Sequence, residues 1–173
     1  MTVTETIAAR YSCRAYNPDR LPEQAKIDAI VEAARLAPSA CNRQPWRFAI
    51  IGRDDEAGRQ AIFAAYPREW VLSAPLHIVA CAVPAEAWVR PADSKNHSDV
   101  DVAIATEHIC LEASAQGLGT CWICNFDPAA LTAGLALPEG VVPVAVIPVG
   151  YAADGSEAPA KKRKATDEIL LVR

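Results

Sequence analysis

Across Ala37-Pro38-Ser39-Ala40-Cys41-Asn42-Arg43-Gln44-Pro45-Trp46-Arg47-Phe48 the chain changes periodicity. Apolar residues recur at helical spacing up to Pro38, and strand-like alternation begins at Trp46. The residues between are small or amide-bearing, which suits a loop gripping a flat polar ligand. A helix handing over to a strand in this way points to a fold of mixed layers.

The remaining chain bears this out as a pattern. Thr2 and Glu5 fit a capping box for a short helix through Ile7 to Arg10, and Tyr11 to Pro18 reads as loop. Pro22 suits the first turn of a second helix, with Ile27, Ile30, Val31 and Ala34 as its apolar face. Trp46, Phe48 and Ile50 alternate with Arg47, Ala49 and Ile51, predicting a half-buried strand closed by Gly52. A third helix is expected over Asp55 to Ala65, and the β-branched run Leu76 to Val83 predicts a central strand. Between Pro84 and Ser98 periodicity disappears, which reads as a long irregular loop. Asp99 or Asp101 can cap a long helix to Gln116, whose small residues predict burial, with Gly117 as its stop. Thr120 to Ile123 reads as a short strand, Asp127-Pro128 as a helix start, Val141 to Val149 as a last core strand, and Ile169 to Val172 as an apolar tail. The order predicts one domain over 1–173, of the α+β class, with helices covering a central sheet; spacing leaves strand direction open.

At 173 residues, 51% hydrophobic and 22% charged, the chain can bury a core without covalent staples, so the six cysteines are expected to be mostly free thiols. A net charge of −4 argues against a nucleic-acid partner, since the only dense basic run is Lys161 to Lys164. No basic-flanked apolar leader and no apolar run of membrane-spanning length are visible, so a cytoplasmic protein without a membrane partner is expected.

Three groups of residues carry chemistry. Arg10, Ser12 and Arg14 alternate in a loop, so their side chains can converge on one anion, where guanidinium groups bind phosphate through paired charge-assisted bonds; a solvated surface is the bland alternative. Ser39, Asn42 and Gln44 offer donors and acceptors suited to a flat polar ligand, against the alternative of a ligand-free Asx turn. Cys121 and Cys124 have C-x-x-C spacing, but His77, His97 and His108 show no metal-ligand spacing with them, so no metal is expected. Asn125-Phe126-Asp127-Pro128 separates the pair from the next helix, unlike a thioredoxin-type dithiol. Cys121 is therefore expected to be buried, and Cys124, flanked by Trp122 and Ile123, to be a neutral thiol turned into the core. His108 is expected to be a satisfied core histidine.

With Arg10-Tyr11-Ser12-Cys13-Arg14 upstream and Gln116-Gly117-Leu118-Gly119-Thr120-Cys121-Trp122 downstream, the pattern Pro-Ser-x-x-Asn-x-Gln-Pro-Trp from Pro38 resembles the FMN-dependent nitroreductase family. The resemblance runs from Arg10 to Lys161-Lys162-Arg163. It implies a three-layer sandwich with a mostly antiparallel sheet, and a homodimer packed through long central helices. It further implies exchange of the C-terminal tail and FMN at the subunit interface. Arg10 and Ser12, with Lys161 and Arg163, match phosphate ligands, and Tyr11 lies among them; Arg14 matches the cation beside the flavin N1 and O2 edge. Pro38, Ser39, Ala40, Asn42 and Gln44 match the flavin-contacting loop, and Cys124 and Asn125 a segment whose backbone faces N5. Cys124 departs from the family, which commonly carries Gly or Glu there.

The implied activity passes a hydride from NAD(P)H to flavin N5 and then, ping-pong, to an electron-poor acceptor such as a nitroaromatic, quinone, enone or flavin. The resemblance assigns no dedicated catalytic acid. A second class of function, a non-catalytic flavin carrier or thiol-based redox sensor, is favoured by thiols at Cys13, Cys41 and Cys124 within these motifs. Pro84 to Ser98 stands where longer members carry a larger insertion, so the acceptor does not transfer from them.

Overall fold

A computed structural model describes residues 1–171. In chain order its elements are α1 (Val3–Ala9), α2 (Gln24–Arg35), β1 (Trp46–Ile51), α3 (Glu56–Ala65), β2 (Leu76–Ala82), α4 (Ser98–Ala115), β3 (Gly119–Thr120), α5 (Pro128–Gly134), β4 (Val142–Gly150) and α6 (Thr166–Ile169). Val172 of the expected tail lies outside the described residues.

Local chemistry accounts for several boundaries. The Thr2 hydroxyl accepts from the Glu5 amide and the Glu5 carboxylate accepts from the Thr2 amide, the reciprocal box that starts α1. Asp127 accepts from the amides of Ala129 and Ala130, and Pro128 occupies the first turn of α5, where its missing N–H costs nothing. Two boundaries differ from expectation. α2 starts at Gln24 with Glu23 as its cap, so Pro22 lies just ahead of the cap rather than in the first turn, and α4 starts after His97, which leaves Asp99 and Asp101 inside its first turn rather than at the cap.

The strands form one antiparallel sheet in the order β1-β2-β4-β3. Ile123 also bridges Val146 in the register that pairs Thr120 with Val149, so the expected strand over 120–123 lies along β4 with Cys121 and Trp122 unassigned between two paired points. Ser12 bridges Thr120 in parallel and extends this edge, so part of the 11–18 loop joins the sheet. Val144 is the extra residue of a bulge opposite Ala80 and Cys81, and the bulge accommodates Pro143 in an inner strand.

Side-chain alternation distributes the sheet between two cores. Ile78, Ala80, Ala145 and Ile147 pack with Ile30 of α2 and Val102, Ala105 and Ile109 of α4. Val79, Cys81, Val146 and Ile123 pack with Ile62 of α3 and Leu131 of α5. Every residue of β2 is buried, as a strand covered on both faces requires. The result is the expected three-layer α+β arrangement. Because both faces are covered, β1 is not the simple half-buried strand of the sequence reading: Trp46 and Ile51 are buried on opposite faces, and Ile50 is exposed. α4 likewise buries one face through Asp101, Val102, Ala105, Ile109 and Ala113, and leaves Ile104, His108 and Leu111 only partly covered.

The register also separates two loops. Thr120, beside Ser12, is level with Leu76 at one end of β2, whereas Trp46, which follows the loop 39–44, pairs with Ala82 at the other end. Six residues of strand separate these levels, about 20 Å, and the loops stand at opposite edges of the sheet.

Candidate functional site

Arg10 leaves the end of α1, and the chain then runs extended along the sheet edge, so Ser12 and Arg14 point to one side. Three contacts lock this segment: the Cys13 amide donates to Thr120 O at 2.8 Å, and the Tyr16 hydroxyl donates to Cys13 O at 2.9 Å and Pro148 O at 3.2 Å. Burial and the neighbouring Cys13 push the Tyr16 phenol well above its ordinary range, so it stays a neutral donor. Gly119 permits the close approach, since a Cβ there would lie 2.8 Å from Cys13 Sγ.

The C-terminal segment returns to this edge. Lys161 donates to Ile7 O at 3.0 Å and also to Ala8 O, which places its ammonium on the free carbonyls that end α1. A cleft of about 220 Å³ results, lined by Arg10, Tyr11, Ser12, Arg14, Lys161 and Arg163 among others. The only carboxylate ion-paired with these cations is Glu107, at a long 4.0 Å from Arg10, among the described residues. Desolvation, then the charges of Arg10 and Arg163, lower the Lys161 pKa from its ordinary value. Excess positive charge of this kind fits a polyanionic group. The structure thus brings together residues about 150 positions apart that the sequence reading had paired.

The loop 39–44 is the second feature. Cys41, Asn42 and Gln44 all have positive φ, near 51°, and none is glycine. Such a conformation costs of order 1 kcal/mol for Cys41 and Gln44, less for Asn42, and residues held in it cluster at ligand clamps and active sites. Internal bonds close the loop: the Gln44 amide donates to Ser39 Oγ at 2.9 Å, the Asn42 amide to Ser39 O, and Gln44 Nε2 to Asn42 O and Oδ1 at 3.3 and 3.2 Å. The Asn42 and Gln44 side chains are exposed. Within one chain they do not reach the cationic cleft, which lies at the opposite corner of the sheet.

Cys124 is an exposed free thiol, which corrects the expectation of a thiol turned into the core. Period two explains it: Cys121 and Ile123 face the second core, so Trp122 and Cys124 share the other face, where the Trp122 indole N–H donates to Cys124 Sγ at 3.1 Å. Cys121 and Cys124 therefore point apart. Asn125 turns away as well, into a separate cleft of about 510 Å³ with Tyr66, Arg68 and Phe126. All six cysteines are free, and no group of three metal-ligating side chains forms among the described residues. His108 Nδ1 lies 3.1 Å from Ala33 O, the satisfied histidine expected, although it is only half-buried.

Asp101 went unrecognised in the sequence except as a cap. It is 1% exposed, and its Oδ1 accepts from the Ala40 amide at 2.9 Å, a contact across 61 residues that no local pattern announces. No helix of the described residues is long and apolar enough to cross a membrane.

A model of the nitroreductase family matches residues 7–81 and 57–151 of this chain. An oxygen-insensitive NADPH nitroreductase of Helicobacter pylori is 28% identical over 194 residues, covering 93% of this chain and 91% of the relative. An NADH dehydrogenase of Thermus thermophilus is 29% identical over 193 residues, covering 95% and 92%. Among solved structures, a nitroreductase family protein of Clostridium difficile matches with a TM-score of 0.89 at 32% identity over 99% of this chain and 98% of that one. A Desulfovibrio desulfuricans chain solved in complex with FMN matches with a TM-score of 0.85 at 25% identity over 100% and 97%.

Proposed function

Since the chain belongs to the nitroreductase family, we propose that it is a single-domain, cytoplasmic FMN-dependent NAD(P)H oxidoreductase whose cofactor sites are shared between two copies. The observation that carries this reading is the cationic cleft: Arg10, Arg14, Lys161, Lys162 and Arg163 converge around Ser12 with little compensating negative charge. FMN ends in a phosphate dianion, and guanidinium, ammonium and hydroxyl donors fit it without an adenylate site.

Ser39, Asn42 and Gln44 supply donors and acceptors for the pyrimidine edge of the ring, in a loop already held in an unusual conformation. Bound FMN supplies the hydride chemistry that links NAD(P)H to an electron-poor acceptor. Arg14, exposed at the cleft, supplies positive charge where the reduced ring gathers negative charge.

The separation of cleft and loop argues for a homodimer. A two-fold axis that sets the cleft of one copy beside the loop of the other would join them without disturbing the sheet register. Ile169, Leu170 and Leu171 are 66%, 55% and 95% exposed, an apolar end that exchange onto a partner would cover.

The purified protein is expected to be yellow, to release FMN rather than FAD on heating, and to scatter light as a dimer. Anaerobic NADH or NADPH should bleach the flavin, and an added quinone or nitroaromatic should restore it. Flavin that neither nucleotide bleaches would favour the carrier or redox-sensor reading, to which the exposed Cys41 and Cys124 thiols belong.

A further inference from the structure

We propose that Asp101 is the positioning residue of the flavin-contacting loop, acting through the Ala40 amide. The inference rests on the reading of residues 39–44 as that contact. Hydrogen bonds within the loop join Ser39, Ala40, Asn42, Arg43 and Gln44 only to one another. The bond from the Ala40 amide to Asp101 Oδ1 is, among the described residues, the one hydrogen bond that ties residues 39–44 to the rest of the molecule.

The Asp101 carboxylate does no other work that explains its burial. It makes no hydrogen bond to the amides of its own helix, and Oδ2 has no partner. Burying a carboxylate with one bare oxygen is unfavourable unless what it holds is needed. What it holds is a loop with three left-handed non-glycine residues, a conformation that relaxes once its anchor is gone. The first turn of an 18-residue helix favours negative charge at this place, and the helix itself is fixed by Val102, Ala105 and Ile109 in the core. Asp101 thereby connects the rigid layer to the loop that must meet the ring.

Two variants test this from opposite sides of one bond. Asp101→Asn keeps the size but replaces the charge-assisted acceptor. Ala40→Pro removes the donor and leaves Asp101 intact; Ser39 is already extended (φ −141°, ψ 159°), as a residue before proline prefers, and Ala40 opens the short 3-10 turn. Three readouts are needed: the rate at which trypsin cuts after Arg43 in apoprotein, the FMN dissociation constant by fluorescence, and kcat at saturating FMN.

Each variant is expected to be cut about tenfold faster and to bind FMN about 10- to 100-fold more weakly, and Asp101→Asn, which does not touch the ring, to keep kcat at saturating FMN within about threefold of wild type. The double variant should be no worse than Ala40→Pro alone, because that substitution already removes the bond that Asp101→Asn weakens. Wild-type cleavage and FMN affinity in both variants would overturn the proposal, as would multiplying penalties, or faster cleavage with unchanged FMN affinity. If Asp101→Asn does not fold, Ala40→Pro alone decides by the same criteria. A wild-type protein that protects Arg43 yet binds no FMN would sink the flavin reading and this inference with it. The cleavage arm needs no flavin, so that failure is distinguishable from a failed anchor.

Discussion

The cationic cleft and the loop 39–44 are both irregular segments, yet they are secured in opposite ways. The cleft is tied at both ends by chain that belongs to the fold: Ser12 bridges β3, Tyr16 reaches β4, and Lys161 sits on the end of α1. The loop is closed on itself and fixed by Asp101. One is an electrostatic feature preassembled by topology, and the other a conformational feature held at one point. In the proposed site, therefore, the two halves do not share a scaffold. The difference also makes the halves fail differently.

The largest expected effect concerns the central strand β2. His77 lies in β2 between Ile51 and Pro148, one residue from the level of Thr120 and Ser12, and its Nε2–H donates to Val71 O at 2.8 Å while Nδ1 is buried without a partner. Burial first, and the charge of Arg59, bring its pKa down to about 4, against the bond to Val71 O. An unfolded chain takes up this proton below about pH 6.5, and the folded chain does not until about pH 4. Stability contributed by the neutral ring is therefore complete above pH 6.5 and lost as pH falls, by about 1.4 kcal/mol per unit and about 3 kcal/mol by pH 4. Urea unfolding from pH 7.5 to 4.5 should show this slope, and His77→Gln, which can still donate to Val71 O, should flatten it. An identical slope in the variant would mean that His77 is not what acid attacks.

Next comes the charge in the cleft itself. Arg10→Ala should weaken FMN binding by about 1.5 to 3 kcal/mol, the worth of a charge-assisted contact, measured by flavin fluorescence. Arg14→Ala should retain more flavin and lose mainly the rate of reduction by NAD(P)H in stopped flow. Equal behaviour of the two in both measurements would erase the division of roles along the cleft.

How much of this was legible in the sequence follows the range of the interactions. Thr2 with Glu5, Asp127 with Pro128, and the apolar run of β2 are local signals, and the structure places them as read. The pairing of Arg10 and Ser12 with Lys161 and Arg163 came from resemblance rather than spacing, because 150 residues intervene. Asp101 was visible only as a candidate cap, since its partner is an amide 61 residues away and amides leave no mark in a sequence. The left-handed backbone at Cys41, Asn42 and Gln44 was equally hidden, as two of these residues do not advertise that conformation and the usual glycine is missing. Cys124 was misplaced because its apolar neighbours were weighed without the alternation that sends Trp122 and Cys124 to the face opposite Ile123.

A smaller effect sharpens the contrast from the loop side. Ser39→Ala removes a neutral acceptor from the Gln44 amide and should weaken FMN binding by about 1 kcal/mol, less than Arg10→Ala. The ratio of the two dissociation constants measures how far binding depends on preassembled charge rather than loop shape. A Ser39→Ala penalty larger than that of Arg10→Ala would reverse the comparison.

The central claim is that cleft and loop of different copies form one site, and mixed dimers test it most directly. Arg10→Ala chains and Gln44→Ala chains, carrying different affinity tags, are refolded together and the mixed species is isolated. In a shared-site dimer, one site combines both defects and the other combines the intact cleft of one copy with the intact loop of the other. The mixed dimer should then bind about half the FMN of wild type with wild-type affinity, although each parent dimer binds poorly. If no wild-type-affinity FMN appears in the mixed dimer, both halves of the site belong to one chain and the account is wrong.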